Sequence, residues 1–313
     1  MSVYYKERAE NLRLSIQSMI DQSVAPEQLV LVCDENLINK LIDLGIEEDI
    51  NTGDITTESI IPESMNAVAT MTAKQDGVIS GLEIVKLVYE RFQKDTVFTP
   101  YFKNGDSVKK GDVILKVEAT YPTLLRGERL SLNIFQRMCG IATETAKYVK
   151  ELVGTSTELL DTRKTAPGLR VLDKMAVKDG GGTNHRMGLY DMAMIKDNHI
   201  KMAGGITKAG EQVRANIPAD VKIEVEATNL AEVQEAVAAG ADIIMFDNMT
   251  NEAMTEAAAY IKSTGKPIKT EASGNMSIPR LKEVAATGVD YISVGALTHT
   301  VKAMDISMNI QVE

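Results

Sequence analysis

The chain has 313 residues, of which 44% are hydrophobic and 25% charged, and its formal net charge is −10. This composition is typical of a globular protein with one large domain or two ordinary ones, and it argues against disorder. The acidic balance disfavours a nucleic-acid partner, because phosphate backbones bind clustered Lys and Arg. No run approaches the roughly 18 apolar residues of a membrane span, so no membrane partner is expected.

Two further features predict a cytoplasmic location. Residues 1–10 are polar and charged, without the basic start and apolar run of a secretory signal. Cys33 and Cys139 lie far apart and lack the spacing of metal ligands. Both are therefore expected to be buried thiols in a reducing compartment.

The first part of the chain predicts a mixed α/β domain. The predicted elements are a helix over 26–44 ended by Gly45, strands over 68–73 and 78–79, and a helix over 83–92. Two Gly-Asp turns, at Gly105 and Gly111, each precede a short apolar run, which is typical of a small antiparallel sheet. The double turn is similar to that of lipoyl and biotinyl carrier domains. No Lys stands at a hairpin tip, so we interpret the turns as structural.

The second part of the chain alternates strands and helices. A helical pattern covers 127–153, with a second segment starting after Gly140. Strands are then predicted over 157–160, 192–195, 222–225, 243–246, 267–270 and 291–294, and helices over 171–178, 230–239, 251–263 and 278–287. Repeated β-α units of this size predict a parallel sheet closed, or nearly closed, into a barrel.

Each predicted barrel strand ends in polar residues. The carboxyl ends of parallel barrel strands share one face, so these residues are expected to converge on one site. Between 161 and 201 there are eight Lys or Arg against five Asp or Glu, which suggests a pocket for a small anion. The cationic or cationisable candidates are Arg163, Lys164, His185, Arg186 and Lys196. Several such groups favour a ligand with more than one acid group, although each could instead pair with a neighbouring carboxylate.

Glu226 and Asp247 form an acidic half of the predicted site. Two carboxylates on neighbouring strand ends suit a divalent cation such as Mg²⁺ or a positive charge that develops on a sugar ring. Salt bridges from these carboxylates to Lys164 or Lys196 are the structural alternative. The two readings are compatible with each other.

Small residues after the last two strands predict a phosphate-binding end. These segments are Ser273-Gly274-Asn275 and Gly295-Ala296-Leu297. Backbone N–H groups approach a phosphate where side chains are small, although a loop glycine alone more often serves a turn. Gly180-Gly181-Gly182 is expected to end a helix and to bring His185 and Arg186 inward. The residues thus describe a phosphorylated sugar that meets a small polyacid.

Longer motifs carry a family resemblance over nearly the whole chain. They are Glu47-Glu48-Asp49 running to Thr57, Arg126 to Arg129 with Gly140 to Thr143, Asp161 to Arg170, Gly180 to Arg186, Ile195 to His199, and Phe246 to Asn248. The sequence resembles the quinolinate phosphoribosyltransferases. The resemblance implies an α/β fold: an N-terminal α/β sandwich domain over 1–126, joined by a tail over 300–313, and an incomplete parallel (β/α) barrel over 127–299. Family members have seven barrel strands, one more than we predict.

The resemblance also implies roles for the site residues. Quinolinate would be held by Arg129, Arg163, His185, Arg186 and Lys196, with Thr162 beside them. Phosphoribosyl pyrophosphate and its Mg²⁺ would face Lys164, Glu226, Asp247, Ser273, Gly274, Asn275, Gly295, Ala296 and Leu297. Lys164, Glu226 and Asp247 would be catalytic, with Glu226 and Asp247 holding the metal directly or indirectly. The protein would be a homodimer with shared active sites, in which Arg129 comes from the partner subunit.

Three alternatives stay open from the sequence. The first is a pyrophosphorylase-like protein found with molybdate transport genes, although those relatives generally lack the Lys-Asp-Asn-His present at Lys196 to His199. The second is a barrel aldolase that uses Lys164 or Lys196 as a Schiff-base amine. The third is a sensor of phosphoribosyl pyrophosphate without catalytic activity.

Overall fold

The computed structural model describes the backbone of residues 26–312 and the side chains of residues 35–312. The chain divides into two compact units, residues 1–53 and residues 54–313. The expectations for residues 1–10 and for the Cys33 side chain lie outside the described residues.

The first unit contains helix α1 (Pro26–Asp49). The prediction that Gly45 ends this helix is wrong, because the backbone stays helical through Gly45. A glycine ends a helix when it adopts a left-handed φ. Positive φ occurs beyond the helix, at Asn51 (48°) and Gly53 (143°).

The second unit begins with an antiparallel α/β layer. Its strands are β1 (Asn66–Ala73), β2 (Gly77–Val78), β3 (Val97–Pro100), β4 (Ser107–Val108), β5 (Val113–Thr120) and β12 (Ile306–Val312). Four of them form a sheet in the order β12-β1-β5-β3, and β2 pairs with β4. Its helices are α2 (Ile55–Ile60), α3 (Leu82–Phe92) and α4 (Tyr121–Glu151).

This sheet packs one face against α3 and α4. Alternate residues of β1 are buried, as expected when one side of a strand faces the core. Met71 from β1, Tyr89 from α3 and Phe135 from α4 are fully buried in the same apolar cluster. The strand β12 comes last in the sequence and pairs antiparallel with β1 along the whole length of β12.

Helix α4 runs without interruption through Gly140. The prediction of a separate segment after Gly140 is therefore wrong. A Cβ at Gly140 would lie 2.2 Å from the carbonyl oxygen of Lys302, so the glycine serves a close approach of two backbones rather than a break. The predicted domain boundary between residues 126 and 127 falls inside this helix, and the division into domains stays a prediction.

The rest of the second unit is an incomplete parallel (β/α) barrel. Its strands are β6 (Glu158–Leu160), β7 (Ala193–Ile195), β8 (Ile223–Ala227), β9 (Ile243–Asp247), β10 (Lys269–Ser273) and β11 (Tyr291–Ser293). They form one six-stranded parallel sheet in the order β6-β11-β10-β9-β8-β7. The predicted fold class is thereby confirmed. The intervening helices are α5 (Arg170–Asp179), α6 (Asp197–Ala203), α7 (Ile206–Asn216), α8 (Leu230–Ala238), α9 (Asn251–Ser263), α10 (Leu281–Ala285) and α11 (Ala296–His299).

A seventh strand position consists of a single bridge at Thr183. Thr183 pairs in parallel with Leu160 on the free edge of β6. Its amide donates to the Leu159 carbonyl at 2.8 Å, and its carbonyl accepts the Asp161 amide at 3.2 Å. The position escapes prediction because Thr183, Asn184 and His185 contain no apolar run.

The predicted extents of two barrel strands are wrong. Strand β8 runs to Ala227 rather than to 225, and β10 covers Lys269–Ser273 rather than 267–270. Both predictions ended one residue before a glutamate, yet Glu226 and Glu271 lie within the strands. The helix predicted over 278–287 is a 3₁₀ turn (Ile278–Arg280) followed by the short α10.

Among the described residues, no helix has the length and apolar character that crossing a bilayer requires. The cytoplasmic location stays a prediction.

Candidate active site

A cavity of about 610 Å³ lies at the carboxyl ends of the barrel strands. The lining residues are Thr162, Arg163, Lys164, His185, Arg186, Met194, Lys196, Glu226, Met245, Asp247, Asn248, Glu271, Ser273, Gly274, Asn275, Met276, Ser293, Gly295, Ala296 and His299. All predicted site residues are among them except Arg129 and Leu297. The convergence of polar strand ends on one face thus occurs as the barrel pattern predicts.

Arg129 and Leu297 lie elsewhere in the chain. Arg129 is exposed on α4 and does not line the cavity of its own chain. The Leu297 side chain is 1% exposed and belongs to the core, so only its backbone could face a ligand. The prediction for Leu297 rested on a run of small loop residues, and Leu297 lies inside the short α11.

Sequence reasoning assigned no role to several lining residues, although Asn248 and Glu271 belong to the polar strand ends that were expected to converge. The lining residues without an assigned role are Met194, Met245, Asn248, Glu271, Met276, Ser293 and His299. The sequence gives a signal for Glu271, because a glutamate within an otherwise buried strand is expected to face a charged or polar partner. Met194 and Met245 had none, since apolar residues in a strand predict core and not a cavity wall.

Arg163 and Arg186 form the cationic end of the cavity. The Arg186 guanidinium donates to the Met192 carbonyl at 2.9 Å, which fixes its direction. Burial and the neighbouring charge of Arg163 lower the pKa of Arg186. Within the described part of the chain, the buried Nε of Arg163 has no hydrogen-bond partner. Two crowded guanidiniums with an unused donor suit an anion with more than one acid group.

Glu226 and Asp247 face the cavity from neighbouring strands. Lys196 Nζ donates to Glu226 Oε2 at 2.7 Å, so the salt bridge considered as the structural alternative is present for this pair. Asp247 Oδ2 accepts the Asn248 side-chain amide at 3.1 Å. The ion pair also disfavours Lys196 as a Schiff-base amine, because that role needs an uncharged lysine.

The loops after β9 and β10 make a tight backbone turn at the cavity. Asn248, Gly274 and Asn275 have positive φ, of 53°, 101° and 50°. A Cβ at Gly274 would lie 2.2 Å from Asn248 Oδ1, so no other residue fits there. Turns in which successive backbone N–H groups face one side make anion-binding concavities, so these two loops suit a phosphate.

A buried ion pair holds the backbone beside the cationic end of the cavity, at His185. The Asp161 and Lys174 side chains are at most 1% exposed and contact each other directly. Lys174 Nζ donates to the His185 carbonyl at 2.9 Å, and the His185 amide donates to Asp161 Oδ1 at 2.8 Å. With the Asn184 amide oriented so that its nitrogen faces its two acceptor neighbours, this nitrogen donates to Asp161 Oδ2 at 2.8 Å and to the Lys174 carbonyl at 2.9 Å. The backbone of His185 and the side chain of Asn184 are thus both held by Asp161 and Lys174.

Two buried glutamates surround the ring of His185. Its Nε2 lies 3.1 Å from Glu224 Oε2 and 3.1 Å from Glu271 Oε2. Burial alone would lower the pKa of His185, but the two carboxylates outweigh it and raise the pKa to about 10. Burial, and then the charge of Glu271, raise the pKa of Glu224 to about 7.

Comparisons with known proteins find the same family over both parts of the second unit. The family model for the quinolinate phosphoribosyl transferase N-terminal domain matches residues 54–139, and that for the C-terminal domain matches residues 141–309. The probable nicotinate-nucleotide pyrophosphorylase [carboxylating] of Bacillus subtilis is 44% identical over 273 residues, which cover 87% of this chain and 93% of that protein. Its counterpart in Synechocystis is 40% identical over 274 residues, covering 88% and 92%.

Solved structures show the same fold. NadC from Streptococcus pyogenes superposes with a TM-score of 0.84 at 36% identity, covering 93% of this chain and 99% of that one. The nicotinate-nucleotide pyrophosphorylase of Francisella tularensis gives a TM-score of 0.83 at 38% identity, covering 88% and 96%.

An incomplete barrel with a charged cavity at its carboxyl face defines a barrel enzyme for anionic substrates. The matched models cover most of the chain, and the relatives match it nearly end to end. The chain belongs to the quinolinate phosphoribosyltransferase family.

Proposed function

We propose that the chain transfers the phosphoribosyl group of phosphoribosyl pyrophosphate to quinolinate, with loss of CO₂. The products are nicotinate mononucleotide and pyrophosphate, in NAD biosynthesis. One observation carries this proposal: a single cavity joins Arg163 and Arg186 to the carboxylates of Glu226 and Asp247. The arginines suit the two carboxylates of quinolinate, and the acidic side suits a ribose that becomes positively charged.

The first step forms the bond between sugar and ring. The pyridine nitrogen attacks the anomeric carbon while the bond from that carbon to pyrophosphate breaks. Positive charge develops on the ribose, where Glu226 and Asp247 stabilise it electrostatically. Lys164 offsets the negative charge on the departing pyrophosphate.

The second step removes one carboxylate. The ring nitrogen now carries a positive charge, so it accepts the electron pair released when the adjacent carboxylate leaves as CO₂. That ring carbon then takes up a proton. Nicotinate, with a single acid group, would need fewer cationic partners than this cavity supplies.

Mg²⁺ is the proposed cofactor, and the residues present fit it. Mg²⁺ binds in proteins through one or two carboxylates together with substrate phosphates. Glu226 and Asp247 supply two carboxylates from adjacent strands beside the phosphate-binding loops. The ion would supply positive charge beside the pyrophosphate oxygens. Because Glu226 is paired with Lys196, Asp247 is the freer ligand.

A homodimer with shared active sites is the proposed assembly. Arg129 is exposed and absent from the cavity of its own chain, which is compatible with its acting in a neighbouring subunit. Leu189, Tyr190 and Met202 are at least 73% exposed. Leu189 and Met202 line an open groove that shares Arg186 with the cavity, so apolar surface lies beside the cationic end. Such a surface suits a second copy that delivers Arg129 there.

A coupled assay tests the reaction. Purified protein is supplied with Mg²⁺, phosphoribosyl pyrophosphate and quinolinate labelled in the carboxylate next to the ring nitrogen. We expect stoichiometric labelled CO₂ and nicotinate mononucleotide, and no mononucleotide when nicotinate replaces quinolinate. Turnover of nicotinate, or binding of phosphoribosyl pyrophosphate without turnover, would refute the proposal. Borohydride trapping of a carbonyl substrate would point to the aldolase instead.

A further inference from the structure

One row of side chains crosses the carboxyl ends of four neighbouring barrel strands, β7 to β10. Lys196 and Glu226 each directly follow a residue of the pair that joins the ends of β7 and β8. Glu226 pairs with Met245 of β9, and Asp247 lies two positions further along that strand, on the same face. Asp247 in turn pairs with Ser273 of β10. The row therefore runs from a cation, through two carboxylates, to the loop proposed to bind phosphate.

Lys196 belongs to both halves of the site. It lines the cavity together with Arg163 and Arg186, and its Nζ donates to Glu226 Oε2 at 2.7 Å. The Lys196 side chain is 44% exposed, whereas that of Glu226 is 12% exposed. A lysine ammonium on a flexible four-carbon stem changes partners easily, and an ion pair with one exposed member holds it weakly. The member of this pair that is free to move is therefore the lysine.

The ion pair neutralises Glu226 in the free protein. A carboxylate whose charge is offset by an ammonium attracts a divalent cation less strongly than an unpaired carboxylate does. Quinolinate carries two negative charges, and the same ammonium is a donor for its carboxylates. Movement of Lys196 toward the diacid would leave the Glu226 charge unpaired, next to Asp247.

We propose that Lys196 exchanges its ion-pair partner when the diacid binds, and that this exchange frees Glu226 for the divalent cation. The cation and the diacid then bind with positive coupling, each strengthening the binding of the other by the same factor. The acidic half of the cavity is thereby completed only when the acceptor of the phosphoribosyl group is present. This inference rests on the proposed placement of quinolinate in the cationic half and of Mg²⁺ at Glu226 and Asp247.

Equilibrium binding of Mn²⁺ and phthalate measures the coupling without turnover. Mn²⁺ takes the same oxygen ligands as Mg²⁺, and its free concentration is read by electron paramagnetic resonance. Phthalate has two adjacent carboxylates but a carbon in place of the ring nitrogen, so it cannot attack the sugar. We expect saturating phthalate to lower Kd for Mn²⁺ by about tenfold, and Mn²⁺ to lower Kd for phthalate by the same factor. Independent binding of the two ligands, or mutual weakening, would overturn the proposal.

Matched lysine variants separate the exchange from a general effect of charge. Lys164 also lines the cavity, and it is not the partner of Glu226. Lys196→Met leaves Glu226 unpaired, so Kd for Mn²⁺ without phthalate should already be about tenfold lower than in the unmodified protein. Phthalate should then change that Kd by less than about twofold. Lys164→Met removes the same charge but keeps the ion pair, so the tenfold coupling should persist.

Two outcomes of this comparison contradict the exchange. Equal tightening of Mn²⁺ binding in both variants would show an effect of charge alone. Coupling that persists in Lys196→Met would show a direct attraction between the two ligands. Circular dichroism checks that both variants keep the melting temperature of the unmodified protein.

A crystal structure with phthalate and without metal tests the movement itself. We expect Lys196 Nζ to lie more than about 4 Å from Glu226 Oε2 and to donate to a phthalate carboxylate. An ion pair that stays at 2.7 Å would refute the exchange. Coupled binding without turnover in the assay of the reaction would count against the proposed reaction and not against the exchange.

Discussion

Arg163 lies at the cationic end of the cavity. Its buried Nε–H has no hydrogen-bond partner among the described residues. A guanidinium presents two parallel N–H groups to a carboxylate, which the single ammonium of lysine cannot reproduce. The role of this residue therefore depends on shape as well as on charge.

We expect Arg163→Ala to lower kcat/KM for quinolinate at least about 100-fold, and Arg163→Lys to recover only part of it. Steady-state kinetics measure the loss, and circular dichroism checks that the melting temperature is preserved. Arg214→Ala is the control, since Arg214 pairs with Asp242 outside the cavity. Unchanged turnover of Arg163→Ala would remove this residue from the site.

The buried cluster of His185, Glu224 and Glu271 also predicts how stability depends on pH. The pKa of His185 is raised to about 10 and that of Glu224 to about 7. Both groups hold protons in the folded protein that the unfolded chain, with pKa values of about 6.5 and 4.3, has already released. The free energy of unfolding should therefore fall as pH rises from about 4 to 10, first through the titration of Glu224 and at higher pH through that of His185. Urea unfolding over this range should show a flatter decline for Glu271→Gln, and equal slopes would contradict the assignment.

At the scale of elements, helix α4 lies close to the backbone of Lys302, and Gly140 is the helix residue at this contact. A methyl group at Gly140 would meet the Lys302 carbonyl at 2.2 Å, and backbone atoms cannot move aside cheaply. We expect Gly140→Ala to destabilise the protein by about 1–3 kcal/mol, despite the higher helix propensity of alanine. Asn133→Ala, exposed on the same helix, should stay within about 0.5 kcal/mol. Urea denaturation compares the two, and a stabilised Gly140→Ala would contradict the close contact.

The same glycine shows where prediction from sequence stops. Periodicity predicts that α4 exists and that the barrel strands alternate with helices, because burial repeats at fixed intervals. Whether Gly140 breaks the helix or allows another backbone to come close depends on Lys302, 162 positions further along the chain. Glu271 gives a similar lesson, since a strand prediction ends at a charge although the strand continues around it. The converging polar residues were predictable from strand ends, whereas Met194, Met245 and Met276 were not.

At the scale of the whole molecule, the proposed sharing of sites makes a prediction about mixtures. Arg129→Ala and Arg163→Ala proteins should each be inactive. After unfolding and refolding together, half of the dimers are mixed, and each mixed dimer has one intact site. We expect recovery of about one quarter of the activity of the unmodified protein, as two-fold symmetry dictates. No recovery, in mixtures shown to exchange subunits, would place Arg129 outside the site of its partner.

The pairing of β12 with β1 has a consequence for synthesis. During translation β1 emerges early, and the strand that covers its edge emerges only after the entire barrel sequence. An uncovered strand edge is a template for unwanted pairing with other chains. This edge of β1 therefore lacks its native partner for most of synthesis, so unwanted strand pairing is a greater hazard for the ribosome-bound chain than for the finished protein.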